Sequence, residues 1–486
     1  MKYLITLLLA FTATAAAAQS GCTDQNSRQR INGSVTRQDF ETYVEVPFEV
    51  PLGTKQLSVS FDYDRSNRTT IDLGLLDPNG FRGWSGGNKR QFTLSANSAT
   101  ASYSTGPIVP GTWHVLLGVP NIREGQTANF EIQVTLNCDI KPSSTAITSD
   151  RGEDWYTGEL HSHSGHSDGS CENTEDETIL CPTFRNIETA ANRELDFIAI
   201  TDHNSVSQNT NNEILQSYFA NTLLIPGREV TTFYGHANVF GTTEFIDFRL
   251  SSDQVNKADF LLDQVQKLSG LFSINHPGSP SGEDCMGCGW VLDDTDYSRV
   301  DAIEVVNAGF VDLPRGQAHI DFWHERLNAG FKITGIGGSD SHLANRATTL
   351  PSAIGNPSTW VFAKHLSVFD ILEGIRSGNV FIEVMAGSGK ITTFAINQQP
   401  MGSEVEVSDS IKLQLSWRSE FDLIPRWIHQ GNVISLVDED PSSANFSGSL
   451  DASSLQVPGW LRVDLLDSKG VTRVIGNPVY LRERSE

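Results

Sequence analysis

The sequence predicts a parallel α/β unit set between two β-rich flanks, and three observations carry that reading. Short apolar runs such as Phe197-Ile198-Ala199-Ile200 alternate with helix-like stretches at 186–195, 253–268 and 319–328. Histidines and carboxylates recur just after such runs: His161-Ser162-His163, Thr201-Asp202-His203, Gly227-Arg228-Glu229, Asn275-His276 and Asp340-Ser341-His342. On either side of this region, short segments alternate with period two, as half-buried strands do. In a (β/α) barrel the strand ends converge on one rim, so residues far apart in sequence meet there.

The chain opens with a segment that the fold does not need. Lys2 supplies a positive start, Leu4 to Phe11 an apolar core, and Ala16-Ala17-Ala18 a small-residue cleavage site. Residues 1–18 therefore read as a secretory signal peptide, too short to span a membrane. Cys22 lies close enough to raise a lipoprotein reading, but Gln19-Ser20-Gly21 lacks the leucine that usually stands three residues ahead. A soluble periplasmic or secreted protein is expected, and no later stretch is apolar and long enough to cross a bilayer.

Residues 22–138 read as a β-sandwich. Leu57 to Tyr63 and Phe130 to Leu136 alternate with period two, Trp113 to Leu117 is a shorter strand, and Asp77-Pro78-Asn79-Gly80 is a turn signal. His114 stands alone there and reads as a packed or surface histidine. A polar linker follows at 139–154, then the α/β unit at 155–384. Its last helix is expected at Val368 to Ser377 with Gly378 as the stop. Residues 385–486 read as a second β-sandwich, with strands around Ile391–Ile396, Ile411–Trp417 and Trp460–Leu466 and a hairpin turn at Asp467-Ser468-Lys469-Gly470.

The 486 residues suit a multi-domain chain, and a formal net charge of −24 argues against a nucleic-acid partner. The oligomeric state is not encoded legibly. Six cysteines in an exported chain suggest up to three disulfides. Cys22 and Cys138 could tie the ends of the first flank, and Cys171 and Cys181 share one loop. Cys285-Met286-Gly287-Cys288 is a lone CxxC that reads as a small structural disulfide in preference to a redox or zinc motif.

Imidazole and carboxylate are ligands for Zn, Mn or Fe. The order HxH, SDG, TDH, an acidic residue after Gly, a later His and a closing DxH resembles the PHP (polymerase and histidinol phosphatase) superfamily, over about 230 of the 486 residues. Gly227-Arg228-Glu229-Val230-Thr231, Gly235-His236-Ala237-Asn238-Val239 and Asn477-Pro478-Val479-Tyr480-Leu481 further resemble its exported CehA/McbA-type branch. The resemblance implies a distorted seven-stranded (β/α) barrel and two or three divalent metal ions. His161 and His163, with Glu229 and Asp340, would bind one. Glu229 would bridge to a second held by His236 and His276. Asp168, His203 and His342 would hold a third.

The expected activity is hydrolysis by a metal-bridged hydroxide, first of small phosphate esters, alternatively of carboxyl esters, amides or carbamates. A module that binds metal without turnover is the third reading. Asp168, Glu229 and His166 are the expected catalytic side chains. Arg228 and Arg315 are candidates for binding an anionic group, set against a plain surface role. Asp202 and Asn275 read as partners that orient ligating imidazoles. Glu304 stands in an apolar strand and is left outside the metal set.

Overall fold

A computed structural model describes residues 27–95, 99–100, 102–137, 152–242, 245–283, 285–435 and 444–484. The expected signal peptide, the pairing of Cys22 with Cys138 and residues 139–151 of the linker lie outside them. In the first flank, two four-stranded antiparallel sheets share one hydrophobic cluster. One contains Ser27–Thr36, Gln56–Tyr63, Gln91–Ser95 and Thr127–Asn137; the other contains Tyr43–Val50, Thr70–Asp77, Gly80–Gly86 and Gly111–Asn121. Alternate residues of Thr127–Asn137 are buried, so period two places Phe130, Ile132 and Val134 in that cluster.

In the α/β unit, Asp154–Glu159, Phe197–Ile200 and the start of Leu223–Thr232 run parallel. Leu271–Ile274, Ala302–Asn307 and Thr334–Gly338 form a second parallel set. Between the sets lies Gly235–Phe240, antiparallel to both neighbours. Thr232 and Gly235 pair across a turn of two residues, which is far too short for the crossover a parallel partner needs. Ser358–Ala363 and Val380–Glu383 also pair antiparallel. The sheet is thus mixed where the sequence predicts parallel. The turns that follow Thr334–Gly338 and Asp154–Glu159 meet: Asp340 N donates to His161 O at 2.8 Å and His163 N to Ser341 O at 2.9 Å.

The helices fall close to expectation, at Thr183–Asn192, Lys257–Lys267, Pro314–Asn328 and Val368–Ser377. The last is capped by Ser367 Oγ, which accepts from Asp370 N, and ends at Gly378, whose φ of +74° suits glycine. Ile371, Leu372 and Ile375 of its inner face pack against Val361 and Val380.

The C-terminal flank is not separate from this sheet. Thr472–Gly476 pairs with Val380–Glu383, so one hydrogen-bonded sheet crosses the boundary expected at 384. Asn477 fastens the joint, its Nδ2 donating to Gly335 O and Val380 O and its Oδ1 accepting from Gly335 N. Pairing removes what would be an exposed edge at Val380–Glu383. A four-stranded sheet that includes Lys390–Ile396 and Ser410–Arg418 forms the opposing layer over Trp427, Val463 and Phe381.

The helix Pro314–Asn328 also docks on this flank. His324 Nε2 accepts from Arg462 Nε at 3.3 Å, and Arg462 pairs with fully buried Asp464. Burial, with the Arg462 guanidinium beside it, pushes His324 down to about 3. An unfolded histidine titrates near 6.5, so the unfolded chain takes the proton first as pH falls. This contact therefore stabilises fully above about pH 6.5 and is lost progressively below it. The urea midpoint is expected to drop between pH 7 and pH 5, with His324 contributing on the order of 1 kcal/mol. A smaller drop in His324→Gln checks the assignment.

Candidate metal centre

Glu159, at the end of its strand, is fully buried. Its carboxylate accepts from His161 N at 2.8 Å, Ser339 N at 3.0 Å and Gly355 N at 2.7 Å. Burial raises its pKa, and these hydrogen bonds offset part of that. One carboxylate thus ties the first ligand-bearing turn to the last. Where those turns meet, Gly338 is needed for space, because a Cβ there would lie 2.4 Å from His161 Cβ and 2.6 Å from Glu304 Oε1.

His161 Nδ1 lies 3.0 Å from Glu304 Oε1, which aims Nε2 at Glu229 Oε1 and Asp340 Oδ1, both at 3.4 Å. Glu304 also accepts from His276 N at 2.9 Å. Glu229 is fully buried at the centre of the cluster. Its Oε1 lies 3.2 Å from His236 Nδ1 and 3.3 Å from His276 Nε2, and its Oε2 lies 2.7 Å from His203 Nδ1. His163 Nε2 lies 3.1 Å from Asp340 Oδ1. Asp168 Oδ1 is 3.7 Å from His203 Nε2 and its Oδ2 is 3.3 Å from His342 Nε2.

All nine expected ligands come together. Their donor atoms fall into four overlapping groups, each with atoms within 4.8 Å of one another: His163, Asp168, His203, His342; His161, His276, Asp340; His161, His163, Glu229; and Glu229, His236, His276. The sharing differs from the expected partition at two residues: His163 also joins the Asp168 group, and His276 also joins Asp340. Burial opposes charge on Glu229, but His203, His161 and His236 outweigh it and hold the carboxyl well below its ordinary range. Burial likewise disfavours charge on His342, yet Asp168 and Asp340 raise it to about 10.

A cation fits this donor set. His161 Nε2 and His163 Nδ1 are buried and make no hydrogen bond, so their lone pairs or protons have no protein partner. His276 and Asp340 hold φ values of +28° and +50°, strained for residues with a side chain, as positions fixed by a site often are. The donors are not equally accessible: the side chains of Asp168, His203 and His342 are 34, 26 and 41 % exposed, whereas the remaining histidines are buried. These three residues face a cavity of about 400 Å³.

The other sequence candidates sit differently. His166 is turned away from that cavity, its Nδ1 2.7 Å from Ser207 Oγ. Arg228 is buried, donates to Thr242 O and does not line the cavity. Arg315 is exposed on the first turn of its helix, donates to Ser279 Oγ and does not line it either. Asp202 accepts from Ser164 N, Ser164 Oγ and Ser167 Oγ, so it braces the HxH–SDG loop rather than an imidazole. Asn275 Nδ2 donates to Glu229 Oε1 at 2.9 Å and so orients a carboxylate. The motif pattern does not reach Glu159 or Glu304. The available signal is a lone acid in an apolar strand, which must find a partner.

The CxxC loop has a role that its sequence does not announce. Cys285 and Cys288 are disulfide-bonded, as are Cys171 and Cys181. His236 Nε2 lies 3.3 Å from Met286 O, and His276 Nδ1 lies 3.1 Å from Cys288 O. Two of the three imidazoles that face Glu229 Oε1 are therefore oriented by carbonyls of one disulfide-closed loop.

No family model matches the sequence, and no curated protein matches it. Among solved structures, one assigned as a metal-dependent phosphoesterase from Bifidobacterium adolescentis is similar at 14% identity and a TM-score of 0.28, over 40% of this chain and 90% of that one. An amidohydrolase from Chromobacterium violaceum, with bound sulfate and no metal, is similar at 12% identity and a TM-score of 0.26, over 38% and 88%. Similarity of that size fixes neither activity nor ligands.

Replacing Cys285 and Cys288 together by serine is expected to weaken binding of one cation by about 10- to 100-fold, the usual range when partners of ligating imidazoles are disturbed. Competition with a metal chelator reads this directly. Unchanged affinity would show that the loop does not orient His236 and His276.

Proposed function

We propose that the chain is an exported metal-dependent hydrolase of the PHP type, related to the CehA/McbA branch, that cleaves small phosphate esters. The observation that carries the reading is the convergence of nine ligand-type side chains, their donors in overlapping groups within 4.8 Å, beside a cavity large enough for a small molecule. Divalent cations held by these residues, of the Zn, Mn or Fe class, would supply Lewis acidity and a water acidic enough to ionise near neutral pH. A donor set with room for more than one cation suits a phosphate ester, whose charge must be neutralised at several oxygens.

The chain's own residues divide the remaining work. Glu229, surrounded by imidazoles and Asn275, is fixed and holds the centre of the cluster together. Asp168 is open to the cavity and presents two oxygens on different sides, Oδ1 toward His203 and Oδ2 toward His342. With one oxygen engaged as a ligand, the other can accept the proton that the attacking water gives up and pass it on to the leaving oxygen. His166, outside the cavity, supports the loop that carries Asp168. Disulfides at Cys171–Cys181 and Cys285–Cys288 are compatible with export. No described helix is long and apolar enough to cross a membrane.

A second reading, hydrolysis of a carboxyl ester, amide or carbamate, is favoured by one observation: among the described residues no Lys or Arg lines the cavity, while Tyr43, Trp84 and Phe233 do.

The test is turnover of matched aryl phosphate and aryl carbamate or ester substrates by the metal-loaded mature protein. Phosphate hydrolysis is expected to dominate, and Asp340→Ala is expected to lower it by more than about 100-fold with an unchanged circular dichroism spectrum. Dominant carbamate or ester cleavage would replace the first reading by the second. No turnover of either would leave a metal-binding module.

A further inference from the structure

The N-terminal flank forms part of the wall of the cavity beside the candidate ligands. Tyr43, Asp72, Trp84 and Asn88 line it together with Asp168, His203 and His342. The flank is fixed there by several contacts. Lys89 Nζ donates to Gly165 O at 2.9 Å, and Ser102 N donates to Ser207 Oγ at 2.6 Å. Tyr43 stacks on Phe233 at 5.6 Å, and Trp84 packs edge-on against Phe248 at 5.1 Å. Leu76, Trp84 and Leu116 share one hydrophobic cluster with Ile246 and Phe248 of the α/β unit. The wall is therefore a fixed part of the site.

Asp72 stands out in that wall. It is half-buried on the strand Thr70–Asp77, and among the described residues its carboxylate has neither a hydrogen bond nor an ion pair. The space next to it is kept open by two glycines: a Cβ on Gly86 or Gly87 would lie 3.8 or 3.6 Å from Asp72 Oδ1. The Cβ on Gly86 would also lie 3.8 Å from Trp84 Nε1, so carboxylate and indole border the same small volume. Burial, only partly countered by His203, pushes the Asp72 carboxyl up to about 7, the cost of holding it in this wall without a partner.

An unpaired carboxylate beside an indole and a phenol ring, with no Lys or Arg among the described residues that line the cavity, is the chemistry that receives an organic cation. We propose that Asp72 is a specificity-determining residue and that the preferred substrate is an ester whose leaving group carries an ammonium. The assignment rests on the hydrolase reading above. The ester end would face the metal ligands and the cation would lie between Asp72 and Trp84. The same wall disfavours anionic leaving groups such as nucleotides, because Asp72 repels them.

The experiment uses the full, metal-loaded chain and two probes of equal shape, choline and its uncharged isostere 3,3-dimethylbutanol. Calorimetric titration is expected to show choline binding about tenfold or more tightly, and Asp72→Asn is expected to abolish the difference. The corresponding phosphate esters are expected to show the same ratio in kcat/KM. Equal binding of the two alcohols by the wild type, or a preference that persists in Asp72→Asn, would overturn the proposal. The wild-type comparison decides even where the Asn variant does not fold. Choline preference without hydrolysis of either ester would overturn the hydrolase reading and leave the Asp72 assignment standing. Hydrolysis of both esters without preference would do the reverse.

Discussion

One buried carboxylate organises this molecule. Glu229 has four imidazole nitrogens within 3.4 Å, from His161, His203, His236 and His276. A fully buried charge of this kind is tolerable only when surrounded by partners or cations. The fold supplies those partners from four separate strand ends, and this requirement accounts for much of what surrounds it. Glu159 and Glu304 brace the turns, Asn275 orients the carboxylate, and the Cys285–Cys288 loop orients two imidazoles. A change at any of these positions acts through the geometry around Glu229.

The flanks are tied to the same centre from opposite sides. The C-terminal strands continue the central sheet through Thr472–Gly476 and cover the edge at Val380–Glu383. The N-terminal sheets contribute Tyr43, Asp72 and Trp84 to the wall of the cavity. One flank extends the scaffold, and the other contributes side chains to the surface a substrate would meet. A binding surface assembled at the junction of two units is a common arrangement for small-molecule sites.

The cluster of candidate donors was legible because its information is local: HxH, SDG, TDH and DxH place them directly after strand-like runs. The helices were legible from caps and stop signals such as Ser367 and Gly378. Other features depend on tertiary contacts and leave little local trace. The carbonyls of Met286 and Cys288 carry no signature, since any residue offers one. Asp72 is one acid among many until Gly86, Gly87 and Trp84 are placed around it. The sequence shows Arg228 beside Glu229, but neighbours along a strand point to opposite faces, so the guanidinium is buried away from the cavity. The expected parallel order is broken at Gly235–Phe240, where a two-residue turn after Thr232 leaves no length for a crossover.

The central claim is that the residues around Glu229 form a centre for more than one cation. Elemental analysis of the reconstituted protein, compared with Glu229→Gln, tests it most directly. The account predicts two or three equivalents of Zn, Mn or Fe per wild-type chain and a loss of at least one in the variant. Fewer than one equivalent in the wild type, or a variant that retains the full complement, would contradict it.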